Sequence, residues 1–383
     1  MMTYFSQFHD FVNQKHPYFL KGLSFLPPLM VSPFEIKIPI KDMNDIREFI
    51  DAILRLNHST SYSKALGVSR VNDSPIMGFD FYLTEDGPKL IEINTNPAAL
   101  LLAMVLHEFK GHPTCEIYKP SLLQRLHQRF IQAMGDHHLI VILDETPLLQ
   151  HTYFEFEWFK ALFEQWGWEC LILAPQDLIS ADDHTLLTPD GRAVPVIYNR
   201  YCDFLLESPV SQPLFKAFTS GKVQLLPSPV HYQLLSDKYR LTQWSSPEFL
   251  SALGVSDTDK AIIAKIIPPV TLISPDRVDE IWAMRKTLFF KPAQGYGSRG
   301  VYKGKSISRP AFDRLIEHPT IAQPYFNAPT YHGQYDGQDL EFKYDVRVYV
   351  VDGDIVLSAA RLFKGQVTNL QTEYGGFAPV DSK

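Results

Sequence analysis

Hydrophobic and polar positions along this chain recur with a period that changes from segment to segment, and the period separates helices from strands. Over 41–57, KDMNDIREFIDAILRLN, the apolar residues Ile46, Phe49, Ile50, Ile53 and Leu54 fall three and four apart, which predicts a helix. Two extended runs follow, 76–83 and 89–93. Thr84-Glu85-Asp86-Gly87 lies between them and predicts a hairpin. A helical stretch comes next, at about 97–109. The texture changes near residue 137. Short apolar runs at 139–143, 169–174, 194–199 and 223–227 surround a helical segment, 154–166. Its Phe154, Phe156, Trp158, Phe159, Phe163 and Trp166 read as helix-packing residues. Strands alternating with helices predict an α/β unit on a mainly parallel sheet. A short helix through 238–244 opens a third region, and the pattern is β-rich from residue 288.

Composition narrows this picture. The 383 residues, 45% hydrophobic and 21% charged, suit a soluble protein of two or three packed units. A net charge of -7 argues against nucleic-acid or anionic-membrane partners, although a local basic cleft can still hold a nucleotide. Cys115, Cys170 and Cys202 lie far apart and read as reduced thiols. The sequence shows neither a signal-peptide pattern nor an uncharged apolar run of membrane-spanning length, so a cytoplasmic location is expected. A homodimer is left open.

Two segments carry chemistry. In LFFKPAQGYGSRGVYKG, residues 288–304, Gly295, Gly297 and Gly300 satisfy G-x-G-x-x-G. A dinucleotide fingerprint needs a helix after the glycines, but here strand and turn follow. A protein kinase places its lysine after the loop, whereas Lys291 precedes it, and no HRD or DFG tripeptide occurs. A glycine flap on a β-hairpin remains, with Lys291 on the entering strand. Backbone N–H groups free of Cβ atoms can approach phosphate oxygens, and the lysine adds a point charge. Phe289 and Phe290 mark a buried strand, where a lysine needs a reason. The alternative is an exposed strand residue. In GFDFYLTEDGPKLIEINTNP, residues 78–97, Glu92 and Asn94 are two apart and share a face, and closing the hairpin brings Asp80 beside them. Two carboxylates and an amide suit Mg²⁺. Ile91 and Ile93 are expected to face a core. The alternative is a surface hairpin with solvated acids.

Together these motifs resemble the ATP-grasp superfamily, and within it bacterial glutathione synthetase and the glutamate-adding and D-alanine–D-alanine ligases. In Ser236-Asp237-Lys238-Tyr239 the resemblance makes Lys238 a phosphate-binding lysine, with Lys291 the second. It makes Tyr296, Ser298 and Arg299 part of the nucleotide flap with the three glycines. Ile321-Ala322-Gln323-Pro324-Tyr325-Phe326 is similar to the hinge that holds adenine, so Gln323, Tyr325 and Phe326 are implied there. In the D-x-R strand Asp345 is implied to reach the ribose and Arg347 the phosphates or substrate. Arg361 is implied to support the transferring phosphoryl group. Asn369, with Gly375 and Gly376, matches the N-L…G-G loop. Asp80, Glu92 and Asn94 match the magnesium ligands.

The order departs from the family. The E-x-N hairpin ends those ligases but comes early here, so the resemblance implies a circular permutation. Permuted members include glutathionylspermidine and trypanothione synthetases and eukaryotic glutathione synthetase. The implied fold is ATP-grasp, two α+β lobes clasping ATP, with a preceding Rossmann-like α/β domain. Residues 1–115 would be the permuted end of the C-lobe, 138–235 the preceding domain, 236–325 the N-lobe with its flap and 326–383 the rest of the C-lobe. The implied activity is a ligase that phosphorylates a small carboxylate with ATP and Mg²⁺ and passes the acyl group to an amine or thiol. A kinase on this scaffold and a non-catalytic nucleotide-binding module are the alternatives. Asn199 and Arg200 end a strand where ligands of open sheets bind, and Arg200 could hold a substrate carboxylate. The alternative is a surface arginine. In His107-Glu108-Phe109-Lys110-Gly111-His112 the histidines are five apart, which predicts different helix faces and no metal site.

Overall fold

The computed structural model describes residues 3–21, 31–69, 74–293, 302–365, 368–370 and 372–382, with backbone alone at 113–121 and 382. Its strands run β1 (Ile36–Ile38), β2 (Met77–Thr84), β3 (Gly87–Asn94), β4 (Leu139–Leu143), β5 (Glu169–Leu173), then a small pair β6 (Ile179–Ser180) and β7 (Leu186–Leu187). β8 (Val196–Asn199), β9 (Gln224–Leu226), β10 (Thr271–Leu272), β11 (Leu288–Pro292) and β12 (Tyr302–Lys303) follow. The last are β13 (Thr320–Pro324), β14 (Thr330–Tyr335), β15 (Gln338–Val351), β16 (Asp354–Phe363) and β17 (Gly376–Ser382).

Three sheets and the separate β6–β7 pair organise them. The largest has the order β1-β17-β16-β15-β2-β3, with β14 also paired to β15. A second, antiparallel, has the order β10-β13-β11-β12. The third, β5-β4-β8-β9, is parallel throughout, as the α/β pattern predicts. The expected 84–87 turn closes β2 onto β3, and Gly87 holds the positive φ of +90° that it requires.

The large sheet is covered on both faces, and period-two alternation decides what each face carries. Val346, Val348 and Val350 of β15 join Phe79 and Phe81 in one core with the helix Ile40–His58. The other face carries Asp345, Arg347, Tyr349 and Val351. Tyr349 and Val351 enter a second core with the helix Leu100–Phe109 and the aromatic helix Tyr153–Gln165. The helix Tyr4–Lys15 joins that core through Phe8 and Val12, and the Phe19 ring stacks on Trp158 at 4.5 Å. A 22-residue helix, Pro113–Met134, spans a stretch for which the sequence pattern above predicts no element. Its Leu122, Leu126, Phe130 and Met134 recur every four residues and are all buried. No described helix is long and apolar enough to cross a membrane.

Candidate functional site

The β2–β3 hairpin places Asp80 directly opposite Glu92, and Gly78 opposite Asn94. The Asn94 amide donates to both carboxylates, at 3.4 Å each. The register slips between Asp80 and Phe81, which leaves Ile91 without a partner across the hairpin. Ile93 is buried in the core as expected, but the bulge residue Ile91 is only partly buried. Its carbonyl, free of the ladder, accepts from the Lys291 ammonium at 3.1 Å.

Next to the hairpin, β15 pairs Arg347 with Asp80, and β16 pairs Arg361 with Asp345. Arg347 grips Asp80 through both oxygens at 2.7 Å, and Arg361 adds a third bond to Asp80 at 2.7 Å. Arg361 also donates to Asp345 at 2.6 Å, and the Thr368 hydroxyl donates to the other Asp345 oxygen. Burial works to raise the Asp80 pKa, but the two guanidiniums outweigh it and hold the carboxyl below its ordinary range. Asp345 moves upward, because burial outweighs Arg361 and the Asp80 charge adds to the shift.

The small antiparallel sheet supplies the opposite wall. Lys291 on β11 is 7% exposed and reaches the Gln323 carbonyl oxygen at 3.0 Å as well as Ile91. Gln323 in turn donates to Leu90 of β3 at 3.2 Å. Burial lowers the Lys291 pKa to about 8, with Glu92 pulling it up and Lys238 pushing it down. Lys238 stands at the start of the helix Tyr239–Trp244, 3.7 Å from Glu92. Four cations thus meet three carboxylates in one cleft, drawn from segments that begin near residues 80, 238, 291 and 345. Tyr325 lies at the rim, stacked over Phe289, and its hydroxyl accepts from Lys303 at 2.7 Å. Phe326 follows, partly buried.

No protein-family model and no curated protein matches the sequence. Solved structures do match. A glutathione synthetase-like effector from Globodera pallida, in apo form, is 13% identical with a TM-score of 0.59, over 99% of this chain and 97% of that one. A protein assigned as a gamma-glutamylcysteine synthetase from Methylobacillus flagellatus KT is 10% identical with a TM-score of 0.54, over 89% of this chain and 87% of that one. The fold is glutathione synthetase-like. At these identities the likeness is one of fold alone.

Within this fold the donor set can be tested against a divalent cation. Glu92 and Asn94 offer hard oxygens at the cleft surface, with the Glu92 side chain 32% exposed, and they fit. Asp80 lies beside them, but its oxygens already accept three guanidinium N–H bonds.

Other expected site residues are engaged by partners within the chain. Asp345, expected at the ribose, is fully buried with both oxygens engaged. Arg200 is not a surface residue. It is buried and donates to the Asn96 and Pro97 carbonyls at 2.7 and 3.1 Å, tying the parallel sheet to the loop after β3. Asn199 bridges strand ends, donating to Pro227 and accepting from the Tyr201 N–H, each at 3.1 Å. Asn369 donates to the Lys364 carbonyl and accepts from Thr372, bracing the loop before β17. Gly375 packs where a Cβ would stand 2.5 Å from the Leu362 carbonyl oxygen, and Gly376 turns with φ +89°. Gly295, Tyr296, Gly297, Ser298, Arg299 and Gly300 lie outside the described residues. His107 and His112 were expected on different helix faces. The helix ends at Phe109, however, and Gly111 turns the chain back at φ +67°, so the rings meet at 5.4 Å. Among the described residues no group of three His, Cys, Asp or Glu side chains is placed to hold a metal ion, and the hairpin cluster has only two carboxylates.

Three residues around these groups stand outside the sequence motifs. Glu155, fully buried, accepts the Ala99 and Leu101 N–H groups at 2.6 and 3.3 Å and so caps the helix Leu100–Phe109. Thr368 fixes Asp345. Tyr82 shares the site face of β2 with Asp80. Period two alone could have flagged Tyr82, whereas Glu155 and Thr368 left no local signal.

Proposed function

We propose that this chain is an ATP- and Mg²⁺-dependent ligase joining a carboxylate to an amine or thiol through an acyl phosphate. The observation that carries this reading is the convergence of Lys238, Lys291, Arg347 and Arg361 on the Asp80–Glu92–Asn94 hairpin. Such a cleft is built to neutralise a polyphosphate. Phosphoryl transfer demands mostly positioning and charge neutralisation from a protein. Lys238 and Lys291 would hold phosphate oxygens from the small-sheet side, and Arg361 would face the transferring group from the large sheet. The γ-phosphoryl passes from ATP to the substrate carboxylate with ADP as leaving group, and the amine then displaces phosphate at the acyl carbon. Glu92 and Asn94, with Asp80 behind them, would hold magnesium, which when bound supplies further neutralisation of phosphate charge. Gln323, Tyr325 and Phe326 would flank the base. The names carried by the two similar structures support amino acids or short peptides as substrates. Pairing of β1 with β17 supports a permuted order, because it sets strands from both halves of one sheet side by side.

ADP release should be screened with ATP and Mg²⁺ over pairs of amino acids, short peptides and polyamines. The ligase reading expects release that needs both a carboxylate and an amine. Release with one substrate and a stable phosphorylated product would make the protein a kinase. Nucleotide binding without turnover on any pair would make it a binding module. Glu92→Gln is expected to lower turnover at least ~100-fold while leaving Tm unchanged, because the side chain is partly exposed.

A further inference from the structure

A nucleotide is ordered phosphates, sugar, base. On the nucleotide-binding reading Arg361 and Lys291 would meet the phosphates beside Asp80, and Tyr325 would meet the base. The sugar must lie between them. Asp345 is close to that position, but Arg361 and Thr368 use both its oxygens. We propose that the Tyr82 hydroxyl is the group that recognises the ribose; this rests on the nucleotide-binding reading above. Tyr82 lies two residues beyond Asp80 on the same face of β2, about 7 Å along the strand. Extending the β2–β15 register, Val346 to Phe81 and Arg347 to Asp80, by one residue sets Tyr82 opposite Asp345. The ring is half-buried, on the strand face that carries Asp80 and beside the strand that carries Asp345. Among the described residues that hydroxyl has no hydrogen-bond partner. The hydroxyl is not sealed among the buried unpartnered atoms, so a ligand atom can reach it. A phenol hydroxyl can donate one hydrogen bond and accept others, which suits it to a sugar hydroxyl. Tyr82→Phe removes that donor and keeps the ring packing.

The test uses the full chain with Mg²⁺ and compares the Kd of ATP, 2′-deoxyATP and 3′-deoxyATP by calorimetry. Wild type should bind one deoxynucleotide about five- to tenfold more weakly than ATP, the weight of one hydrogen bond. Tyr82→Phe should lose the same factor for ATP alone and bind all three alike, with an unchanged Tm. The proposal is overturned if wild type does not discriminate, or if Tyr82→Phe keeps the wild-type ratio. It is also overturned if Asp345→Asn abolishes the ratio while Tyr82→Phe does not. A change in ATP-against-GTP preference with the sugar ratio intact would place the hydroxyl on the base instead. If wild type binds none of the nucleotides, the function reading itself fails.

Discussion

Lys291 shows how far surroundings set the chemistry of one side chain. Its burial brings the pKa to about 8, so in the ligand-free cleft it changes charge within an accessible pH range. The protonated form favours a polyanion. ATP affinity is therefore expected to be highest below pH 8 and to fall as pH rises through and above it. Titrating Kd from pH 7 to 9.5 checks this. Lys291→Gln should flatten the profile and weaken binding at pH 7 by about 10- to 100-fold, the loss of a charge-assisted contact. The unfolded chain keeps its lysine proton to about pH 10.4, so burying the charged form costs stability at pH 7. The variant should therefore match or exceed the wild-type Tm. A lower Tm with unchanged nucleotide affinity would make Lys291 a structural residue. At this scale the sequence was informative where a residue clashed with its neighbours. A lysine after two phenylalanines and a glutamate between isoleucines both pointed inward to a site. Arg200 offered no such conflict, and its strand-end position fitted a ligand and a solvent role equally. Its actual partners are carbonyls about a hundred residues away.

Among the elements, the helix Leu100–Phe109 is held from both ends by distant chain. Glu155 caps its start, and at its last turn His107 accepts the Val380 N–H of β17 at 3.2 Å while its other ring nitrogen faces the Ala103 carbonyl at 2.8 Å. That pairing needs a neutral imidazole, because protonation would set an N–H against the Val380 N–H. Burial is the main cause of a His107 pKa of about 4. The unfolded histidine binds its proton at 6.5, so the folded state keeps its full stability above pH 6.5 and loses it as pH falls toward 4. The loss attributable to His107 is roughly 3 kcal/mol. Denaturant unfolding at pH 7, 5.5 and 4.5 should show the decline, and His107→Gln should remove part of it. An equal decline in the variant would clear His107 of that role. The hairpin itself was legible from Thr84–Gly87 and the alternation around it. The slip that frees the Ile91 carbonyl was not, because a bulge is chosen by what packs on both strands.

Across the whole molecule, Asp80 is an electrostatic joint. It connects β2 to Arg347 and Arg361, 267 and 281 residues away in sequence. Without its charge, two buried guanidiniums would face each other with Asp345 as their nearest compensation. Asp80→Asn is expected to destabilise the fold by about 3 kcal/mol or more, the cost of breaking a buried charge cluster. Glu92→Gln should not destabilise it. Thermal unfolding of the two variants side by side tests the contrast, and an Asp80→Asn protein as stable as wild type would refute it. Segments whose structure depends on near neighbours could be read directly: the helix Ile40–His58, the hairpin turn, the parallel-sheet strands and the short helix after Lys238. Periodicity and turn chemistry act within a dozen residues, so the chain states them locally. The tertiary structure alone decided which charged groups face one another. It gave Asp345 to Arg361 and Arg200 to a loop of the large sheet, and it left the Tyr82 hydroxyl without a partner among the described residues. Those outcomes follow from sheets that bring residues hundreds of positions apart to hydrogen-bonding distance, where burial and charge set the role of each group.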